Sequence, residues 1–355
     1  MTDPLSKYAL INAKLRARIS KILPEELFHQ LAHTTSLDAT LALLRETPFA
    51  GLEEIYSRTG DLKQVELQLL RNEIMLYRNV KKHLHSQSTP LINALLYQFE
   101  IDNLKNALRI YFDQTIRGRT VDATPLYVLY DPIVHNLPID LICNAQNFDE
   151  VSGLCEGTPY RDIIRKYSYE VESRGSLFRM EVALDHFYYE NFMACIQQMD
   201  KPDRKIAMRL IGVEVDLQNI SWVIRFKNYY DLPLDTILKS IIPGGLMLTD
   251  SVIDDLYNAR NMTSMLQGFV HNTHPELSTL LASSSSDITG RLALIRCILE
   301  EVRKSEVRRI LLGYPFSIGI VLAYFVLKKT EIKKIRTLLN AKLYGSQPER
   351  IASLI

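Results

Sequence analysis

The chain reads as all-α, built from one helical unit used three times. Three observations lead there. A ten-residue signature that opens on an acid recurs at residues 100, 216 and 331, intervals of 116 and 115 residues. Apolar residues recur at three- and four-residue spacing over most of the chain, the period of a helix with one buried face. Nothing reads as a sheet: Tyr127 to Val134 and Ile237 to Leu246 come nearest, but Pro or Gly interrupts both, and they are read as loop or short helix.

The copies are Glu100-Ile-Asp-Asn103-Leu104-Lys105-Asn-Ala-Leu108-Arg109, Asp216-Leu-Gln-Asn219-Ile220-Ser221-Trp-Val-Ile224-Arg225 and Glu331-Ile-Lys-Lys334-Ile335-Arg336-Thr-Leu-Leu339-Asn340, each with aliphatic residues four and eight places after the acid. A second marker travels with the first. Ser36-Leu37-Asp38 precedes Thr47-Pro48-Phe49, and Asn147-Phe148-Asp149 precedes Thr158-Pro159-Tyr160 at the same interval; Asn261-Met262-Thr263 before Asn272-Thr273 is a degenerate third copy. Two markers in constant order at a constant period are the mark of an internal repeat. The expected units are 1–118, 119–233 and 234–355, with boundaries near Gly118 and Asp231-Leu-Pro233.

Along the chain, Leu62, Val65, Leu69, Leu76, Val80 and Leu84 form one stripe among charged residues, which predicts a long amphipathic helix. The polar turn Ser86-Gln87-Ser88 ends it. The next helix is expected from Thr89-Pro90, with Thr at the cap and Pro in the first turn, through Leu108 to Phe112. Equivalent pairs are expected at about Ser176 to Gln198 with Pro202 to Tyr230, and at Asp287 to Leu312 with Pro315 to Leu343, so each signature lies on the later helix of its pair. A region of short helices precedes each pair. In units one and two it contains the Thr-Pro-aromatic marker, where Thr can cap a helix that Pro starts and the aromatic packs as a local staple. A polar loop, Ser283 to Ser286, lies inside unit three.

With 355 residues, 47% hydrophobic and 23% charged, the chain is expected to fold around a large core. A formal charge of +1 supplies no basic field of the kind a nucleic-acid binder uses, so no nucleic-acid partner is expected. Ile318 to Leu327 is the longest apolar run, about half of the roughly 20 residues a membrane span needs, and predicts a buried helix. The amino terminus has no apolar signal region, which predicts a cytoplasmic protein. Cys143, Cys155, Cys195 and Cys297 are scattered, as expected of reduced and mostly buried thiols.

Catalytic motifs are wanting. Neither Gly-x-x-x-x-Gly-Lys-Ser/Thr nor Gly-x-Gly-x-x-Gly occurs, so nucleotide hydrolysis and a bound nucleotide cofactor are not expected. His29 and His33 have the spacing of a helical zinc pair, but Gln30 stands where a metalloprotease carries its Glu. His83 with His85, and His271 with His274, have no Cys or acidic cluster in step. Asp254-Asp255 lacks a third acid within one turn, and a solvated helix end is the simpler reading; a magnesium-dependent helical enzyme is the alternative it would support. No cofactor or metal is expected.

Two readings of the signature stand. In the first it is structural, the acid and Arg109 or Arg225 satisfying partners inside each unit. In the second, three equivalent polar groups converge on an axis and contact a partner inserted there. The basic run Lys328-Lys329 to Arg336 is either a solvated helix face or a contact for anionic headgroups or an acidic partner. Arg109, Arg225, Lys328 and Lys329 are the candidate partner-binding residues.

Order and spacing together give the chain a likeness. Tyr8-Ala-Leu-Ile-Asn-Ala-Lys-Leu-Arg-Ala-Arg18, Ser36 to Phe49, Glu100 to Arg109, Glu214 to Lys227 and Ala323 to Lys342 resemble the C subunit of bacterial and archaeal V-type (A-type) rotary ATPases, the counterpart of the d subunit in eukaryotic vacuolar ATPases. The third unit departs most, with Lys334 and Asn340 in place of Asn and Arg. The resemblance implies three related helical domains forming a funnel around a central cavity. It implies a rotor subunit without catalysis, present once rather than as a homo-oligomer, at the cytoplasmic face of the membrane. The partners it implies are the proteolipid ring and the central-stalk shaft subunits of D and F type. A helical-repeat scaffold for another complex is the alternative that repeated hairpins also permit.

Overall fold

Asp3 caps the first helix by accepting a hydrogen bond from the Ser6 amide at 3.3 Å, and Pro4 occupies the first turn of α1 (Pro4–Ile19). A computed structural model of the protein describes residues 3–119, 128–230, 232–257 and 288–354. Short helices α2 (Glu25–Ala32), α3 (Leu37–Leu43) and α4 (Gly51–Thr59) lead into the long pair α5 (Leu62–Lys81) and α6 (Thr89–Tyr111), which ends in one π turn, Phe112–Ile116. The pattern then repeats: α7 (Ile139–Cys143), α8 (Phe148–Leu154), α9 (Tyr160–Arg174), then long α10 (Phe178–Gln197) and α11 (Lys201–Tyr230). After α12 (Leu234–Ser240) and α13 (Asp250–Tyr257) come long α14 (Ile288–Leu312) and α15 (Gly319–Leu343), followed by α16 (Pro348–Leu354). The described residues contain no strand, so the all-α class holds.

Local rules explain the second marker. Ser36 caps α3 by accepting from the Ala39 amide at 3.1 Å, and Asn147 caps α8 by accepting from the Glu150 amide at 2.8 Å. Thr47 and Thr158 donate to the Leu44 and Cys155 carbonyls and accept from the amides of Phe49 and Tyr160. Helix α9 starts at Tyr160 with Pro159, not Thr158, at its cap position, one residue later than expected, and α4 starts at Gly51, two residues after Phe49. Two further starts differ from expectation. Ser88, not Thr89, holds the cap position of α6, and α15 starts at Gly319 because Asp203 takes the Ile318 amide at 2.9 Å and holds residues 315–318 in a turn. The third copy of the marker, Ser283 to Ser286, His271 and His274 lie outside the described residues.

Contacts divide the chain into two compact units, Met1–Cys195 with Tyr324–Ile355, and Ile196–Ala323; the divisions fall within α10 and α15. In the first unit, Phe28, Leu31, Leu41, Leu44, Leu52 and Leu69 form a core with Ile332, Ile335, Leu338 and Leu339 of α15, so the third signature helix is packed among the first helices of the chain. In the second unit α11 lies along α14. Ala207 and Leu210 on one side and Ile298, Leu299 and Val302 on the other are fully buried, and Arg303–Glu214 at 3.3 Å and Arg209–Glu306 at 2.6 Å tie the helices at their rims. The apolar run is buried from Ile318 to Phe325, and no helix among the described residues is long and apolar enough to cross a membrane. Cys143 and Cys155 are buried, and burial pushes their thiols up to about 11 and about 12. Cys195 is half-buried and Cys297 is exposed, so burial covers fewer of the thiols than the sequence suggests.

Candidate functional site

Each signature acid is buried and turned against backbone. Glu100, on α6, accepts the amides of Val134 at 2.7 Å and His135 at 2.6 Å on one oxygen. Its other oxygen meets His135 Nδ1 at 2.6 Å and accepts the Tyr160 hydroxyl at 2.7 Å. Asp216, on α11, accepts the amides of Leu246 at 2.9 Å, Met247 at 2.7 Å and Leu248 at 3.0 Å. Glu331, on α15, accepts the Leu23 amide at 2.8 Å and is paired with Lys328 one turn earlier.

The residue three places on repeats the device. Asn103 both donates to the Leu129 carbonyl at 2.8 Å and accepts its amide at 2.7 Å, and Asn219 does the same to Ile242 at 2.9 Å each way. A side-chain amide that satisfies both polar groups of one residue replaces a strand partner, so these loops remain irregular yet lose no backbone hydrogen bond there. In the third copy Lys334 pairs instead with Glu25 at 2.6 Å and lies over the Phe28 ring at 4.9 Å.

Taken in chain order, the first copy holds residues 129–135, the second holds 242–248, and the third holds Leu23. Each of the first two signature helices therefore clasps a segment between itself and the next signature, and the last clasps a segment that precedes the first.

Glycine makes the second clasp possible. Gly244 has φ of 93°, in the region that favours glycine, and a Cβ at Gly245 would overlap Asp216 Oδ1. The loop can thus bring three amides onto one carboxylate. Burial pushes Asp216 up to about 6, while the three backbone bonds pull it down.

The four candidate cations have different surroundings. Arg109 donates to Glu181 at 2.6 Å and to Asn106 at 3.1 Å. Lys328 is held by Glu331 and lies over the Phe49 ring at 5.1 Å, with 13% of its side chain exposed. Lys329 is exposed, with Gln98 at 3.4 Å. Arg225 belongs to α11, and its side chain lies outside the described residues. Within reach of these lysines, burial pushes the Glu73 carboxyl up, opposed by the charges of Lys329, Arg336 and Lys328. Arg109 and Lys328 thus have partners within the chain, but Glu181, the partner of Arg109, lies outside residues 1–118, where the first reading of the signature expected it, as do the loop partners of Glu100.

The sequence marks Tyr160 only as a local staple and does not point to His135; they stand 60 and 35 residues from the carboxylate they meet. Lys105 is also more than a flanking charge. It pairs with Asp102 at 2.9 Å and Asp185 at 2.7 Å; burial opposes its charge, but the two acids prevail and hold its ammonium above lysine's usual range.

The other candidate groups stay apart. Among the described residues no three of His, Cys, Asp and Glu lie together as a metal site would need. The His29 and His33 rings lie 4.3 Å apart, tilted by 31°, and His33 Nδ1 meets the His29 carbonyl at 2.8 Å. Asp254 and Asp255 fall on α13, and the Asp255 side chain lies outside the described residues.

The sequence matches the family described as ATP synthase (C/AC39) subunit over residues 11–354. It is similar to the C subunit of the A-type ATP synthase of Methanocaldococcus jannaschii, 23% identical over all of this chain and 88% of the relative. Its likeness to the proteins of the same name from Methanosphaera stadtmanae, 24% identical over 96% of this chain and 85% of the relative, and Methanothermobacter thermautotrophicus, 23% identical over 97% and 86%, is of the same extent. The chain belongs to the ATP synthase (C/AC39) subunit family.

Proposed function

We propose that this protein is a rotor subunit of an A-type rotary ATPase, without a catalytic centre of its own, that couples the central shaft to the proteolipid ring during ion transport. The three repeats, 1–118, 119–233 and 234–355, surround a cavity that receives the shaft, and the assembly stands on the cytoplasmic face of the membrane. Its partners are the ring and the D- and F-type shaft subunits.

The observation that carries this reading is the cyclic order of the clasps. A chain whose last signature helix holds a segment of its first repeat has the connectivity a closed collar needs, while an open superhelix would leave its last repeat without such a successor. Torque transfer asks for stiffness distributed over many contacts, and buried carboxylates bonded to backbone amides provide it, since displacing one strands several polar groups at once. Of the candidate contacts, exposed Lys329 is the foremost; Arg109, Arg225 and Lys328 complete the set.

The test is co-purification. A tagged chain isolated from membranes of its own host is expected to bring the nucleotide-binding head, the shaft subunits and the proteolipid ring with it. Membranes lacking the chain are expected to keep ATP hydrolysis in the head and to lose ion pumping. Recovery of the tagged chain free of those subunits overturns the reading.

A further inference from the structure

The turn between α14 and α15 is tightly held yet carries apolar side chains in water. Its base is fixed by Asp203, itself 6% exposed, on the Ile318 amide, and by the Ser317 hydroxyl on the Gly319 amide at 3.3 Å. A Cβ at Gly319 would meet Ile310 at 2.8 Å and Ile206 at 3.1 Å, so the helices approach as closely as glycine allows. The same packing leaves Leu312 82% exposed and Tyr314 64% exposed.

Cations flank these two side chains. Arg308 is exposed one turn before Leu312 on the same face of α14, and Lys201 and Lys205 are exposed on the first turns of α11. A cleft of about 220 Å³ beside Tyr314 is lined by Lys205, Arg209, Arg309, Ile206 and Ile310. Arg209 and Arg309 share buried Glu306, and Asp200 is an exposed acid near this end, so the charge at the turn remains positive.

We infer that this turn contacts an anionic lipid surface, with Leu312 and Tyr314 entering the boundary between headgroups and acyl chains and Lys205, Arg308 and Arg309 meeting lipid phosphates. Tyrosine, leucine and flanking cations suit that boundary: the ring has one apolar and one polar end, and long basic side chains reach sideways to phosphate. The size of the patch favours lipid over protein. A stable protein interface engages roughly 20–30 residues a side, while this turn offers a handful, enough for a surface that needs no complementary shape. The inference goes beyond the rotor reading and does not require it, because it is measured on the isolated chain.

The experiment is flotation of the full-length protein with vesicles of phosphatidylcholine alone and of phosphatidylcholine with phosphatidylglycerol. Binding is expected only to the second, weakening with added salt. Leu312→Ser with Tyr314→Ser is expected to reduce it about tenfold or more, given the apolar area withdrawn. Arg308→Gln and Lys205→Gln, which leave the Glu306 pairs intact, are expected to reduce it about fivefold each. Circular dichroism confirms that each variant is folded. Absence of binding at low salt, equal binding to both vesicles, or binding unchanged in the double variant overturns the inference. Loss of ATPase co-purification in the double variant, with no vesicle binding by the parent protein, assigns the turn to a protein partner and likewise overturns it.

Discussion

Asp216 and Glu331 hold the same place in their copies but are accommodated differently. Asp216 rests on three backbone amides from a loop that contains two adjacent glycines, whereas Glu331 takes one backbone amide and the ammonium of Lys328. The first arrangement depends on loop shape, the second on a side-chain charge from the same helix. Between them lies Glu100, which adds a histidine and a tyrosine to its two amides. What the copies share is therefore an acid that anchors the next segment of backbone; how its charge is met varies with the local side chains.

The sharpest way to break this comparison is Gly245→Ala. The new Cβ would overlap Asp216 Oδ1, so the loop or the carboxylate must move and the three amides lose their partner. We expect a loss of roughly 3 kcal/mol or more, because the costs of overpacking and of buried unpaired donors act together, read by denaturant unfolding. A loss within experimental error would show that the loop does not rely on this approach.

Asp216→Asn separates charge from shape. Burial pushes the native carboxyl up to about 6, above its ordinary value of 3.8, so the folded protein holds this proton more tightly than the unfolded chain does. The resulting stability is complete below about pH 4 and disappears as pH rises through about 6. Relative to the Asn variant, the parent protein is expected to lose up to roughly 3 kcal/mol over that interval. Parallel stability curves for the two proteins would contradict it.

The position three residues after the acid gives the next contrast. Asn103→Ala leaves both polar groups of buried Leu129 without their partner, and a loss of about 2 kcal/mol is expected. Lys334→Ala removes a pair whose acid, Glu25, is 80% exposed, and the expected loss is under about 1 kcal/mol. Both are read by the same denaturant unfolding. Equal losses would mean that the third copy anchors as strongly as the first despite its changed residue.

Much of this fold is legible in the sequence because its long helices are amphipathic and local signals bound them. The stripe from Leu62 to Leu84 becomes α5 as far as Val80, with Leu84 in the turn beyond Lys81, and Ser36 and Asn147, already conspicuous as part of a repeated marker, are helix caps. The start of α15 is less legible: Pro315 is an ordinary first-turn residue, yet the helix starts at Gly319, where distant Asp203 accepts the Ile318 amide and Ser317 accepts that of Gly319. The candidate site divides in the same way. Periodicity singles out Glu100, Asp216 and Glu331, but Tyr160 reads as a local staple and His135 as a loop residue, since nothing in a linear pattern announces a partner at that separation.

The sequence alone determines that the chain is helical, that one signature recurs three times, and that its acid shares a helix face with aliphatic residues. These are consequences of local geometry, of the 3.6-residue turn and of capping chemistry, and they need no knowledge of what lies opposite. Only the tertiary structure decides that the first two acids bind backbone between their own signature and the next, with the third returning to Leu23, 308 residues earlier in the chain. A backbone amide is the same group at every position, so its choice of acceptor is set by where packing brings the loop and leaves no mark in the order of side chains.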